Sequence, residues 1–437
     1  MLTLAMMQAA TTAFIAVSVV SPTSGRVTTN QTVIVRDGRI AWVGAAGAAR
    51  VPASAERVDG RGKFLFPGFA DMHTHPQRPF DLITFLANGI TTIRVMWGDT
   101  ATIRWRDAAA KGSIPSPRIV TAGAIIDGSP PSQPVMRVVT DPSLARAEVV
   151  AQHAAGFDFI KVYNSVPKSV YDTIVTVARQ LGLPVAGHVP FEIGLAGALA
   201  AKQRSIEHLR GYIGELVPAD APIQPGATLK SRTLAWTNID RSRIPDLVRR
   251  TVRAGVWNCP TFVVANDMLP AAQYAALMAR PEARLFSAGS PPDRSKISYL
   301  ADFTEADFAA SQRALDAQLD FARALGQGGA KLLIGTDSWL QGFAFQDELA
   351  LFERGGFSRS EILTIATARG AEYLGQSRVR GRVAVGQEAD LQLVGGDPLA
   401  SLDGLRLRAG VMVRGYWYPQ AALDALIAAG PIGADSR

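Results

Sequence analysis

The chain has 437 residues, 48% hydrophobic and 19% charged, a composition that suits a folded protein with a sizeable core and excludes a disordered one. Its net charge is +7, but the 45 Lys and Arg are scattered and form no basic tract with interleaved aromatics, so no nucleic-acid partner is expected. The single cysteine, Cys259, has apolar neighbours; it excludes an internal disulfide and a cysteine-based zinc site and reads as a buried structural thiol.

At the start of the chain, MLTLAMMQAATTAFIAV resembles the late part of a secretory signal that lacks a basic beginning. Its continuation AFIAVSVV also fits a first strand, so a cytoplasmic and an exported protein both stay open. No stretch reaches the ~18 apolar residues of a membrane span, and none is expected. Residues 13–64 read as short strands broken by turns, with Asp37-Gly38 as a hairpin signal between two alternating runs. Eight strand-like runs follow, at 69–75, 90–97, 118–123, 157–164, 183–188, 204–209, 256–264 and 331–338. Segments with helical apolar spacing separate them, including 143–156, which carries a surface His153, and 168–182. This alternation predicts an α/β fold, a (β/α)8 TIM barrel over residues 65–375. Strand texture returns in VAVGQEADLQLVGGD and GVMVRGYWY, so residues 1–64 and 376–437 are expected to pair as a small β-sandwich made from both ends of the chain.

Four of the five histidines fall on predicted strand ends. His73 and His75, one residue apart in FADMHTH, share a face because side chains on a strand alternate with period two. His188 ends the fifth run, His208 lies near the end of the sixth, Asp337 near the end of the eighth, and Lys161 late in the fourth. The C-terminal ends of barrel strands are where active sites are assembled. Small residues at 186 and 335 leave room for packed imidazoles. Imidazole nitrogen and carboxylate oxygen suit zinc or a similar ion, and six positions suit two ions sharing a bridge better than one tetrahedral ion. A plain ammonium at Lys161 would be repelled by two divalent cations. A carbamate on that amine would offset the charge.

These segments, PGFADMHTH, DFIKVY, GH, IEHL and GTDS in this order, with GQEADLQLVGGDPL near the end, resemble the amidohydrolase superfamily in its two-metal branch. The wording is most similar to the imidazolonepropionase-like and Xaa-Pro dipeptidase-like group, whose members cleave amide bonds in dipeptides, N-acyl amino acids and related compounds. The resemblance implies that His73, His75 and Asp337 hold one metal, that His188 and His208 hold the second, and that a carbamylated Lys161 bridges them together with hydroxide. It implies hydrolysis of an amide bond, with two divalent ions, zinc first, and Asp337 as general base and then acid. Glu192 lies four residues beyond His188, where deaminases of this superfamily have a His-x-x-Glu spacing, which argues against deamination.

Tyr163 and Tyr212 are candidate donors to a substrate carbonyl or carboxylate, and Arg78 and Arg210 candidate carboxylate partners. A lactonase, an organophosphate hydrolase and a carbamate hydrolase are compatible with the same metal set, and a non-catalytic binding barrel is the remote rival. A homo-oligomer stays open.

Overall fold

The computed structural model describes residues 11–285 and 297–430; residues 1–10, on which most of the leader-like reading falls, lie outside them. The chain opens with β1 (Thr11–Ser21), β2 (Arg26–Arg36), β3 (Arg39–Ala45), β4 (Glu56–Asp59) and β5 (Phe64–Pro67). The expected hairpin joins β2 to β3: Arg36 pairs with Arg39, and Asp37 and Gly38 between them have φ of 50° and 75°. Two successive positive φ values make the tight turn whose twist matches the flanking strands.

Parallel strands come next: β6 (Phe69–Thr74), β7 (Ile90–Val95), β8 (Arg118–Thr121), β9 (Ile126–Asp127), β10 (Arg137–Val138), β11 (Ile160–Val162), β12 (Val185–Gly187), β13 (Ser205–Glu207), β14 (Trp257–Cys259) and β15 (Lys331–Leu332). They form two sheets, β6-β7-β8 and β10-β9-β11-β12-β13-β14-β15. Each of the eight expected runs contains one strand, usually shorter than the run. The two-residue strands β9 and β10 were not expected, and they order part of the long 124–145 connection.

Backbone bonds continue past the strand limits. A parallel bridge links Ala122 to Phe159, between β8 and β11. Met72 N donates to Ile334 O at 2.9 Å and Asp337 N to His73 O at 2.7 Å, so the segment after β15 lies beside β6. The seventh run departs from expectation. Its strand stops at Cys259, and after Pro260 the chain turns through Thr261 (φ 54°) into a 3-10 helix, Phe262–Met268. Pro260 has no N–H to extend a ladder, and the buried Glu348 carboxylate accepts from Phe262 N and Val263 N, which fixes the turn.

Helices pack outside the parallel strands by their apolar faces. Lys168–Gln180 buries Val170, Tyr171, Ile174, Val177 and Ala178, a helical spacing that leaves the opposite face to solvent. The long helix Glu305–Gln327 starts at a capping box between Thr304 and Asp307 and buries Phe308, Leu315 and Phe321.

The C-terminal strands β16 (Leu391–Val394), β17 (Arg408–Val413) and β18 (Tyr416–Pro419) return to the start of the chain. They join the sheet β18-β17-β16-β5-β1-β2-β3, with β4 beside β1. The two ends therefore meet, but as one hydrogen-bonded sheet and not as two separate layers, because β5 pairs with β1 on one side and β16 on the other. The sheet curls: Phe14 on β1 meets Trp417 on β18 with ring centroids 5.1 Å apart, a contact that a flat sheet with strands about 4.8 Å apart would forbid. Phe14, Val33, Leu65, Leu391 and Met412 fill the interior. Arg118 on β8 pairs with Asp390 at 2.6 Å and Glu388 at 2.7 Å, tying this sheet to the parallel strands. Among the described residues no helix is long and apolar enough to cross a membrane.

Candidate metal centre

β6 carries His73, and His75 follows it. Lys161 is in β11, His188 directly follows β12, His208 directly follows β13, and Asp337 lies five residues beyond β15. These six side chains converge. Asp337 Oδ1 is 3.1 Å from His75 Nε2, and Asp337 Oδ2 is 3.4 Å from His208 Nε2 and 3.7 Å from His73 Nε2. Lys161 Nζ is 3.4 Å from His73 Nε2. Ring centroids of His73 and His208, and of His188 and His208, are 4.8 and 4.9 Å apart.

A second set of groups sets the direction of each imidazole. His73 Nδ1 is 2.9 Å from Glu207 Oε2 and His188 Nδ1 is 2.7 Å from Asn164 Oδ1. His208 Nδ1 is 2.5 Å from Thr261 Oγ1, whose own hydroxyl donates to Pro260 O. A carboxylate, an amide oxygen and an already committed hydroxyl can only accept, so Nδ1 carries the proton in all three rings. Nε2 of each then presents a lone pair, the tautomer a metal needs. His188 Nε2 is buried with no hydrogen-bond partner among the described residues, an orphaned lone pair of the kind a metal satisfies. His73, His75 and Asp337 offer ligand atoms within 4.8 Å of one another.

The electrostatics agree with this donor set. Burial pushes the His73 imidazole down to about 4, and His75, His188 and His208 are lowered by the same cause, so the rings are neutral at pH 7. Burial opposes the charge on Asp337, but His73, His75 and His208 outweigh it and hold the carboxyl well below its usual range. Burial lowers the Lys161 amine to about 8, against the pull of Asp337 and Glu207. Beneath the cluster lies a buried ion pair: Arg94 donates to both oxygens of Glu207 at 2.9 Å, and also to Met72 O, Ser205 Oγ and Tyr373 Oη.

Three residues of the site have left-handed backbone. His208, Thr261 and Asp337 have φ of 57°, 54° and 45°, a left-handed region in which non-glycine residues are uncommon and whose strain gathers at functional sites. Gly335 supplies room: a Cβ there would lie 2.7 Å from His73 Cβ and 2.6 Å from Cys259 Sγ.

The predicted substrate contacts divide. Tyr163 stacks on His188 with ring centroids 3.8 Å apart, so it lies at the cluster. Arg210 is also close; its charge lowers the basicity of His188 and His208. Tyr212 is elsewhere. Gly211 (φ 86°) turns the chain into the helix Tyr212–Leu216, and the fully buried Tyr212 hydroxyl donates to Asn258 Oδ1 at 2.9 Å, with its ring against Phe321. Arg78 is held by Asp81 at 2.9 Å and by Leu285 O at the start of the helix Pro79–Ala87. Its carboxylate partner is thus within the chain. Sequence reasoning missed Glu207, Arg94, Asn164 and Thr261.

The amidohydrolase family's sequence profile matches residues 64–417. Among solved structures, the bottromycin amidohydrolase is 26% identical with a TM-score of 0.73, covering 96% of this chain and 91% of that one. A prolidase-like protein from Bifidobacterium longum is 24% identical with a TM-score of 0.72, covering 97% and 99%. A Xaa-Pro dipeptidase with bound methionine is 21% identical with a TM-score of 0.68, covering 94% and 100%. The last two likenesses speak to the fold alone. A shorter match, 49% identical over 47 residues, is to the imidazolonepropionase of Saccharopolyspora erythraea and spans 11% of this chain and 12% of that protein.

Proposed function

The chain belongs to the amidohydrolase family, and from that premise we propose that it is a metal-dependent hydrolase that cleaves an amide, peptide-like bond of a small molecule such as a dipeptide or an N-acyl amino acid. The observation that carries this reading is the meeting of four neutral imidazoles, Asp337 and Lys161, with Nε2 of His188 buried and unpartnered. His73, His75 and Asp337 are assigned to one divalent ion and His188 and His208 to a second, zinc being the first candidate for both. When bound, such ions polarise a carbonyl oxygen and lower the pKa of water from about 15.7 to near 7.

Lys161 is buried, and among the described residues it makes no ion pair. We assign it a carbamate: the neutral amine would take up carbon dioxide and release one proton, leaving an anion whose oxygens would join the imidazoles and Asp337 in holding the ions. Asp337, ionised throughout the neutral range, accepts the proton of the attacking water and returns it to the leaving amine, as base and then acid. Tyr163 lines the approach beside His188. Eight of the ten parallel strands, all but the two-residue β9 and β10, are read as one closed (β/α)8 barrel over residues 65–375, a reading supported by the Ala122–Phe159 bridge and by the Met72–Ile334 and His73–Asp337 backbone bonds. The described residues of the terminal segments 1–64 and 376–437 form the second domain in this reading.

The testing experiment offers dipeptides, N-acyl amino acids, lactones, carbamates and phosphotriesters to the zinc-loaded enzyme. Highest kcat/KM on a dipeptide or N-acyl amino acid is expected. Cleavage of only a lactone, carbamate or phosphotriester would transfer the same machinery to that class and overturn the amide assignment.

A further inference from the structure

A cleft of about 490 Å³ opens between the segments that follow β14 and β15. Its size is within the range of about 300–1,000 Å³ common to small-molecule sites. Ser338 and Trp339, which line it, directly follow the assigned ligand Asp337, so the cleft adjoins the metal centre. Asp267, in the 3-10 helix Phe262–Met268, lines it from the β14 side.

Two carboxyl groups are among the lining residues, and they differ. Asp347 is matched by Arg280 at 2.6 Å. Asp267 has one partner among the described residues, the Tyr299 hydroxyl, which donates to Oδ2 at 2.9 Å. Burial pushes its carboxyl up to about 6, against the Tyr299 hydrogen bond, and the charge of Asp337 adds to the rise. Elsewhere the chain satisfies its buried acids with an arginine or with two backbone N–H groups: Glu207 has Arg94, Asp390 has Arg118, and Glu348 has Phe262 N and Val263 N. A carboxylate that is still ionised at pH 7 and lacks both kinds of partner is costly to desolvate unless a ligand brings the counter-charge. The remaining lining suits such a ligand. Trp339 is 36% exposed, and an indole face attracts organic cations; Leu277 and Leu340 offer apolar surface to a methylene chain.

We propose that this cleft is a subsite for an alkylammonium group of the substrate, with Asp267 as its counter-ion and Trp339 beside its charged end. The inference rests on the hydrolase reading for the location of the reacting bond. It adds a positive charge to the amide substrate, which a dipeptide or a lysine-like side chain carries and a plain N-acyl amino acid lacks. No sequence pattern indicated Asp267. Its role is to hold the substrate and not to take part in bond cleavage.

The test titrates the zinc-loaded full-length chain calorimetrically near neutral pH with hexanoate, L-norleucine and 6-aminohexanoate. The three share one carboxylate and one six-carbon chain and contain no amide; they differ in having no ammonium, an α-ammonium or a terminal ammonium. At least one ammonium-bearing acid is expected to bind about fivefold to thirtyfold tighter than hexanoate. A gain for 6-aminohexanoate assigns the subsite to a substrate side chain, and a gain for norleucine to a substrate amino terminus. Asp267→Asn keeps an acceptor for Tyr299 and should abolish that gain while leaving hexanoate unchanged or tighter. Trp339→Leu should reduce the gain by about twofold to fivefold, and it carries the test if the Asn variant fails to fold. Equal binding of all three acids, or a preference that survives Asp267→Asn within about twofold, overturns the subsite; chelation of an ion by norleucine would survive in that way. None of the probes can be hydrolysed, so this result is separate from the substrate panel. Failure of the amide reading with an intact, Asp267-dependent ammonium preference would leave the subsite standing.

Discussion

Arg94, in β7, and Arg210, three residues past β13, are two guanidiniums from different parallel sheets, and their surroundings are opposite. Arg94 has Glu207, Ser205, Tyr373 and Met72 O as partners, whereas Arg210 has none among the described residues. The same contrast separates Glu207 from His208, adjacent in the chain: Glu207 accepts from Arg94, Ser205 and His73, while Nε2 of His208 faces the shared centre with Asp337. A deeper layer with its polar groups satisfied fixes the backbone and aims the imidazoles. The layer above it holds lone pairs and positive charges that the chain itself does not match. Buried polar groups are ordinarily paired, so the unpaired layer is where a ligand belongs.

Changes to the upper layer should remove chemistry and leave the fold. Asp337→Asn should lower kcat by about 10²–10⁴-fold or more with unchanged circular dichroism; retention of most activity would assign the proton transfer to another group. Changes to the lower layer should register first as stability. Glu207→Gln leaves the Arg94 charge buried without its anion and should cost about 3–5 kcal/mol in urea unfolding, and zinc affinity should fall by about 10- to 100-fold as His73 exchanges a charged carboxylate acceptor for a neutral amide. Wild-type stability in that variant would break the distinction between the layers.

The lysine gives a pH dependence with a definite sign. Only the neutral amine takes up carbon dioxide, and burial lowers Lys161 from 10.5 to about 8. At constant dissolved carbon dioxide, the activation rate of metal-depleted enzyme by zinc should rise about tenfold per pH unit up to about 8 and then flatten. A rise that continues to pH 10 would mean an ordinary, solvated amine. The smallest effect belongs to Tyr212→Phe. Losing its hydrogen bond to Asn258 should cost about 0.5–1.5 kcal/mol and leave kcat/KM unchanged, whereas a loss of activity at wild-type stability would return Tyr212 to the site.

How much of this was legible in the sequence follows from what each feature depends on. The six ligand candidates stood out because alternation on a strand and the position of strand ends are local properties, and His73, His75, Lys161, His188, His208 and Asp337 do meet. Their supports were not legible, because Arg94 reaching Glu207 depends on which strands of the two sheets face one another, and Thr261 reaching His208 on which strands become neighbours. Alternation even misleads at one point. It places Glu207 and His208 on opposite faces, but the left-handed φ of 57° at His208 breaks the alternation and lets both serve one site. Tyr212 was misplaced for a similar reason: four residues past His208 it is near in sequence, but the turn at Gly211 sends it inward. Strand limits were too generous where the ladder ends in a proline turn, as at Cys259.

The central claim is a two-ion site built on Lys161. Elemental analysis of the full-length chain, purified without chelator and supplied with bicarbonate, measures it directly. The account predicts about two divalent ions per chain, falling to one or none in Lys161→Ala. About one ion in the wild-type chain, unchanged by that substitution, would contradict it and make Lys161 a bystander to a single-metal centre.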